Sequence, residues 1–576
     1  MAQSWLQSAQ SGIQSFLKAG SQGPDPFGAV FAERQKAFSL FSPQLSDAEI
    51  ESFRKYIFCY DRLPASSSDA PITITNLIGG QWKKAAKGSV TLMSLADRRI
   101  PLAEVPDSNE ADCEEALRYA QDYWESMAWS EETLAYRKHV VKNFSRMLNY
   151  YYEDVIREIR TVIPKTRLES DKDFWEAKRA ADHLEGSAER VMSGTRLPAM
   201  IEGHSYWKNE YMPGGIATIV TPMNFIYGIP VIHLVGCYLT GSPFIFKPHP
   251  FGAICNTTMI RMMLAAGANP RAVQKVEGFG KNVEKVVSDK RVAVVCLTGS
   301  EETAAHFVKI RGLHPTKFEG GGCNWAYVDE GFSDEELKRI AVRLTYSKLG
   351  FSSHKCTTLH GIAAAPATLK KVFTYMSEEM DQWQIKNPTL VEASETKVIG
   401  PCMVHKAQTA QSIQDAAEKA GVEVFRRGGR LSDGLGAHGE YIKPIMLKGV
   451  KPGVKVSVDW DGKGQRQIDL TSTEFFMPIL VGMELANGFE EFTKFCLFHN
   501  EHDLAVSVWS RDDRLLSLAR RRLAGMLKEN DGTDSALEWE EFGAGGLGPS
   551  GNMGVGDPEA TFQIYCRRQK GRHVVF

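Results

Sequence analysis

Ile216-Ala217-Thr218-Ile219-Val220-Thr221 opens a stretch that runs to Ser300 and decides the fold. It holds four short β-rich runs, Ile216–Thr221, Phe244–Lys247, Val273–Glu277 and Val292–Leu297. Between and after them lie helix-length segments near 229–240, 253–266, 281–288 and 301–310. Strands alternating with helices predict an α/β fold, a parallel sheet with helices on both faces. Such sheets bind ligands outside the carboxyl ends of their strands, so the turns after these runs are where chemistry belongs.

Upstream, residues 108–195 carry a helical rhythm, with Ala116, Leu117, Ala120, Tyr123 and Trp124 on one face. Ser130 is the expected cap of the next long helix, which carries Val140, Phe144, Met147 and Leu148. Further upstream, Ser46-Asp47-Ala48-Glu49 fits a capping box, followed by Ile50, Phe53, Ile57 and Tyr60 at helical spacing. A Ser-rich linker at Ala65–Asp69 then separates a helical extension, 1–75, from the main body. Downstream, 323–535 forms a second α/β region. There Thr358–Ala364 and Leu504–Trp509 read as strands, and Pro366 opens a helix. The Gly-rich tail from Phe542 to Asp557 suggests a backbone-lined loop.

Composition narrows the function. The chain has 576 residues, with 68 Lys+Arg against 70 Asp+Glu. That balance lacks the basic footprint of a nucleic-acid binder. No long uncharged apolar run suggests a membrane span. The 10 cysteines contain no C-x-x-C pair, which fits free thiols in a reducing compartment. No cluster of histidines and cysteines has metal-ligand spacing, so no metal is expected. Location is left between the mitochondrial matrix and the cytoplasm, because the first residues are Ser- and Gln-rich but arginine-poor.

Five places hold residues with chemical potential. Thr221-Pro222-Met223-Asn224 puts a side-chain amide after a strand, where it can donate to a developing oxyanion. Lys247 closes a buried-looking strand, where an ammonium suits ribose hydroxyls or phosphate. Thr298-Gly299-Ser300 precedes a helix, whose free N–H groups favour phosphate. Glu319 stands before three glycines, with room to turn as a general base. Cys356 follows His354 and Lys355, cations that would lower a thiol's pKa if they lie against it. Each has a bland alternative: a turn amide, a snorkelling lysine, a helix cap, a solvated acid, a buried core thiol.

Their order changes the balance. Amide, lysine, T-G-S, glutamate before glycines, then cysteine resembles the aldehyde dehydrogenase superfamily, and Glu474-Phe475-Phe476-Met477-Pro478 resembles its E-x-F-G-P segment. The resemblance runs from about residue 75 to the C-terminus. It implies a Rossmann-type cofactor domain (76–318), an α/β catalytic domain (319–535), a C-terminal return (536–576), and a β oligomerisation flap to which 200–213 contributes. Several details are similar to Δ1-pyrroline-5-carboxylate dehydrogenases of the plant-type branch. These are Arg196-Leu197-Pro198, Tyr211–Gly215, Cys323-Asn324-Trp325 and Gly554–Ala560.

The resemblance implies NAD(P)-dependent oxidation of an aldehyde to an acid, with NAD the expected cofactor and NADP open, by a homo-oligomer. Glutamate γ-semialdehyde is the leading substrate. Cys356 would attack the aldehyde, the Asn224 amide would hold the oxyanion, and Glu319 would activate water. Thr221, Pro222, Lys247, Gly278, Thr298, Gly299, Ser300, Glu474 and Phe476 would bind the cofactor. Thr357, Ser550 and Gly551 would face the substrate. The chain departs from the family pattern at Met223, Cys323, Ser353-His354 and Met477. Pro250 replaces the acid that often selects NAD. Two other readings stand beside this one. In the first, a CoA-acylating dehydrogenase, Glu319 has no job. In the second the scaffold is non-catalytic, and Cys356, Glu319 and Asn224 need not meet.

Overall fold

The computed structural model describes residues 44–130, 132–193, 195–198, 204–502, 504–535 and 548–574. The first ordered turn is the expected capping box. Ser46 accepts from Glu49 N, and Glu49 accepts from Ser46 N, at the start of α1 (Asp47–Ser52). A short α2 (Arg54–Ile57) follows, and Tyr60 lies beyond it. The Tyr60 hydroxyl reaches the buried Glu158 at 2.6 Å, as do the hydroxyls of Tyr227 and Thr258. Three donors let a carboxylate stay buried without a cation. The described part of the extension, 44–75, is thereby tied to the body.

After β1 (Asn76–Ile78) and β2 (Gln81–Lys83) come α3 (Glu110–Glu125), α4 (Leu134–Tyr150), α5 (Tyr152–Val162) and α6 (Arg167–Met192). The expected face of α3 is the buried one. The cap of α4 is Thr133, whose hydroxyl accepts from Tyr136 N, and not Ser130. Ser130 closes a short 3-10 turn and donates to Met127 O at 2.7 Å. Ser130 thus ends the preceding turn, and the helix begins only after Thr133.

The strands β3 (Thr195–Pro198) and β4 (His204–Pro213) lead into the parallel region. There β5 (Ile216–Val220), α7 (Gly228–Thr240), β6 (Phe244–Lys247), α8 (Ala253–Ala266), β7 (Val273–Lys275), β8 (Val292–Thr298), α9 (Glu301–Arg311) and β9 (Thr316–Glu319) follow the predicted alternation, except that 281–288 holds a 3-10 turn and one short helical turn (Lys285–Ser288) in place of a full helix. They form one sheet of order β9-β8-β5-β6-β7-β1-β2, parallel except at the β1 and β2 edge. The order reverses between β5 and β8, which opens a crevice at their carboxyl ends.

A second seven-stranded sheet is built from β10 (Asn324–Val328), β11 (Leu359–Ala364), β12 (Glu423–Arg426), β13 (Ile445–Lys448), β14 (Ile479–Glu484), β15 (Ala505–Trp509) and β16 (Met526–Glu529). Its order is β12-β13-β14-β11-β10-β15-β16, parallel except at β12. Its central strands are buried along their whole length, as continuous apolar runs in doubly covered sheets are. The final strand, β17 (Cys566–Val574), pairs antiparallel with β4, and β4 with β3. This three-stranded sheet holds the described part of the expected flap. The rest of that segment, 200–203, and the first part of the Gly-rich tail, 542–547, lie outside the described residues. Among the described residues, no helix is long and apolar enough to cross a membrane.

Candidate active site

The two sheets face each other with opposite polarity. Val220–Asn224, Lys247 and Thr298–Ser300 follow the carboxyl ends of β5, β6 and β8. Cys356 and Glu474–Phe476 precede the amino ends of β11 and β14. Expecting chemistry only after strands therefore covers half of the site. Between the sheets lies a cavity of about 760 Å³, the size of a cofactor site. Thr221, Pro222, Asn224, Lys247, Thr298, Gly299, Ser300, Cys356, Glu474 and Phe476 all line it.

At one end are the thiol and the acid. Cys356 Sγ lies 3.8 Å from Glu319 Oε1, and Thr298 Oγ1 lies 3.5 Å from Glu319 Oε2. Burial lifts the Glu319 carboxyl to about 7, because a charge there has little water to stabilise it. Burial also drives the Cys356 thiol well above its ordinary value, and the nearby Glu319 and Glu474 add to this. The expected activation by neighbouring cations is corrected. His354 is itself buried and held neutral, with its pKa down to about 3. The Lys355 ammonium donates to Asp534 O at 2.7 Å and lowers the thiol too little to offset burial. A proton leaving this sulfur needs a base, and Glu319 is within reach.

Asn224 Nδ2 donates to His354 O at 3.0 Å, two residues before Cys356 in the chain. One amide hydrogen is spent on orientation and the other remains for the cavity. The glycines after Glu319 are there for close approach. A Cβ on Gly321 would overlap the Glu474 carboxylate, and one on Gly322 would lie 2.6 Å from Cys356 O. Gly322 N donates to Glu474 Oε1 at 3.2 Å, and burial raises Glu474 to about 7.

Four expected positions do not line this cavity, and of these Thr357 stays beside Cys356. Gly278 is not among the cavity residues; Gly280 and Lys281, on the following turn, are. Ser550 is fully buried and donates to Gly321 O at 2.9 Å, and Gly551 bridges to Glu319. Both therefore brace the Glu319 loop, their polar groups already spent, and do not line a pocket. Thr357 lines a small recess behind Cys356, with Glu176, Phe225, Ile232, Lys355 and Val555. Its hydroxyl is buried without a hydrogen-bond partner there.

The cavity also contains His249, His306 and Lys406, which no motif marked. Lys406 opens the helix Lys406–Lys419, pairs with Asp461 at 3.0 Å and lies 5.0 Å over the Trp460 ring. Its position near Glu474 comes from tertiary folding, and the sequence carries no local signal for it.

Comparison with known proteins places this geometry in context. The profile of the Aldehyde dehydrogenase family matches residues 82–570. Malonate-semialdehyde dehydrogenase 3 of Geobacillus kaustophilus is 22% identical over 393 residues, covering 67% of this chain and 78% of that protein. N-succinylglutamate 5-semialdehyde dehydrogenase of Photorhabdus laumondii is 22% identical over 507 residues, covering 85% and 93%. In fold, the chain matches an indole-3-acetaldehyde dehydrogenase solved with NAD+ at a TM-score of 0.78, with 20% identity and coverage of 92% and 100%. It matches the methylmalonate-semialdehyde dehydrogenase of Oceanimonas doudoroffii at 0.77, with 18% identity and coverage of 87% and 98%.

Proposed function

Because this chain belongs to the aldehyde dehydrogenase family of enzymes, we propose that it oxidises a short, carboxylate-bearing aldehyde to its acid, with NAD as hydride acceptor and Cys356 as nucleophile. The observation that carries this reading is the 3.8 Å approach of the Cys356 thiol to the buried Glu319 carboxyl at the end of a cofactor-sized cleft.

The cleft fits a dinucleotide. Apolar walls from Val283, Val287 and Phe307 suit an adenine, and the start of α9 at Ser300 offers N–H groups to a diphosphate. Thr221 presents a buried hydroxyl with no hydrogen-bond partner. Lys247 and Glu474 would hold the two riboses, and Phe476 would pack beside the second. When bound, the nicotinamide supplies the acceptor for the hydride that leaves the substrate carbon. Position 250 brings no acid to repel a 2′-phosphate, so NADP is the natural second cofactor to test.

This chain's residues do the rest. Cys356 Sγ bonds to the aldehyde carbon while its proton passes to Glu319. The free Asn224 amide hydrogen and the Cys356 backbone N–H hold the oxyanion. Loss of hydride leaves a thioester on Cys356. Glu319 gives the proton it took from sulfur to solvent, then takes a proton from water; hydroxide attacks the thioester carbonyl, and the departing thiolate takes that proton back from Glu319 as the acid is released. Asn224→Ala should lower kcat by about 10²–10³-fold, the usual cost of one oxyanion donor. Dinucleotide affinity, read by fluorescence titration, should not change.

The substrate class rests on two supports. The relatives named above act on semialdehydes of malonate and N-succinylglutamate. The recess beside Cys356 is also lined by Thr357, whose hydroxyl is unpartnered, by Lys355 and by Glu176, donors and an acid that a charged substrate could meet. A substrate with both an ammonium and a carboxylate matches that pairing, which favours glutamate γ-semialdehyde, the open form of pyrroline-5-carboxylate. The sheet of β3, β4 and β17, with 536–576, is read as the contact between copies in a homo-oligomer. The division at 318/319 into cofactor and catalytic halves, with 1–75 as an extension, belongs to the same reading.

The test is absorbance at 340 nm with NAD or NADP and a panel of malonate, succinylglutamate, glutamate and uncharged aldehydes. Reduction with the acidic semialdehydes, at kcat/KM well above the uncharged ones, is the expected result. Equal rates across the panel would remove the carboxylate preference. No reduction with any aldehyde would remove the enzymatic reading.

A further inference from the structure

The helix α6 approaches the site from behind, and two acids on its first turns reach loops that the mechanism needs. Glu169 completes a capping box, with Oε2 accepting from Thr166 N at 2.9 Å. Such glutamates usually sit at the surface. This one is 2% exposed, and its other oxygen accepts from Phe351 N at 2.6 Å.

Phe351 begins an unusual turn. Phe351, Ser352 and Ser353 all have left-handed backbones, with φ of 55°, 54° and 65°. Residues with a Cβ rarely adopt this region, and each is strained there. Three in succession persist only if neighbours hold them. The holders are Glu169 on Phe351 N, Gly400 N on Ser352 Oγ at 2.7 Å, and Lys348 O under Ser353 Oγ at 2.7 Å. The turn ends at His354, whose N–H donates to Phe351 O, and it delivers Cys356 to the cavity.

One helical turn on, Asp173 is fully buried. It accepts from Ile226 N at 3.2 Å, Tyr227 N at 3.2 Å and Gly228 N at 2.8 Å, with Lys165 Nζ at 3.0 Å. Helix α7 has no side-chain cap of its own, so Asp173 supplies one from another helix. The residues it holds begin two positions after Asn224. The two loops also meet each other. Phe225 and Phe351 stack at 5.2 Å, and Lys165 Nζ lies 4.6 Å and 5.3 Å from their ring centres.

We propose that Glu169 and Asp173 are positioning residues. Glu169 fixes the strained turn that aims Cys356, and Asp173 fixes the loop that aims Asn224, so one helix face sets both halves of the oxyanion site. This rests on Cys356 as nucleophile. Neither acid touches substrate or cofactor, so the effect is on geometry, where a displacement of about 1 Å costs about a hundredfold.

The test compares Glu169→Ala in the native background and in a Ser353→Gly background. Glycine takes a positive φ without strain, so the turn then needs less holding. In the native background, Glu169→Ala should lower kcat about a hundredfold, leave NAD affinity by fluorescence unchanged, and slow iodoacetamide alkylation of Cys356 followed by mass. In the Ser353→Gly background the loss should shrink. Glu169→Gln keeps one of the two acceptor bonds and carries the same comparison if the alanine variant does not fold. A native kcat in the variant, or an equal loss in both backgrounds, overturns the proposal. If iodoacetamide leaves the native enzyme active, the nucleophile reading fails instead. If it labels Cys356 and kills activity while Glu169 variants behave as native, only the positioning role falls.

Discussion

Cys356→Ala should abolish dehydrogenase turnover, with a fall of at least about 10⁴-fold, while the variant still binds NAD. Removing a nucleophile ends the covalent route, and what remains is positioning of an aldehyde beside water. The fold should be untouched. Cys356 is only partly buried, at the edge of the apolar core, and its Sγ meets the Glu319 carboxylate. Removing the thiol takes one hydrogen-bond partner from Glu319, and Thr298 remains beside the carboxyl. Thermal melting and NAD titration beside the activity assay check this. Substantial turnover in the variant would mean that sulfur is not the attacking atom.

Glu319→Gln should lower steady-state turnover about 10³-fold, within the range of a general base. Its pH signature is the sharper readout. In the native enzyme the Glu319 carboxyl sits at about 7, so the fraction able to accept a proton rises as pH rises through 7 and then levels. The rate should follow that limb. In Glu319→Gln the limb near 7 should vanish. The first burst of NADH should persist at reduced rate, now climbing into the alkaline range with the thiol's own ionisation. That thiol is held high by burial, so no plateau is expected near neutrality. Stopped-flow absorbance at several pH values measures both phases. A native-like limb near 7 in the variant would assign that ionisation to another group, Glu474 being the other acid raised to about 7.

How much of this was legible in the sequence depends on the range of the causes. Phe244–Lys247 could be read to the residue, because an apolar run ending in Lys-Pro carries its own boundary. Pro366 opening a helix and the Ser46 capping box are equally local. Ser130 failed because a second candidate, Thr133, stood within one turn, and a hydroxyl alone does not say which way it will bond. His354 and Lys355 failed for a different reason. Adjacency to Cys356 says nothing of burial, and burial decides that His354 is neutral and that the thiol is raised. Glu169 was invisible as a site residue, since the N–H it serves belongs to Phe351, on a distant segment. Ser550 and Gly551 fell near the site but in another role, because a Gly-rich segment offers backbone both for ligands and for bracing.

The facing of the two sheets has a mechanical side. The base is carried at the end of β9 in one sheet, and the sulfur stands before β11 in the other. Their separation is thus set by how the two sheets sit against each other, not by the geometry of either alone. A small tilt of one sheet against the other would break the proton path while every strand stayed paired. Warming should therefore disable this machine as a loosened bearing does, with its parts intact, before either sheet comes apart.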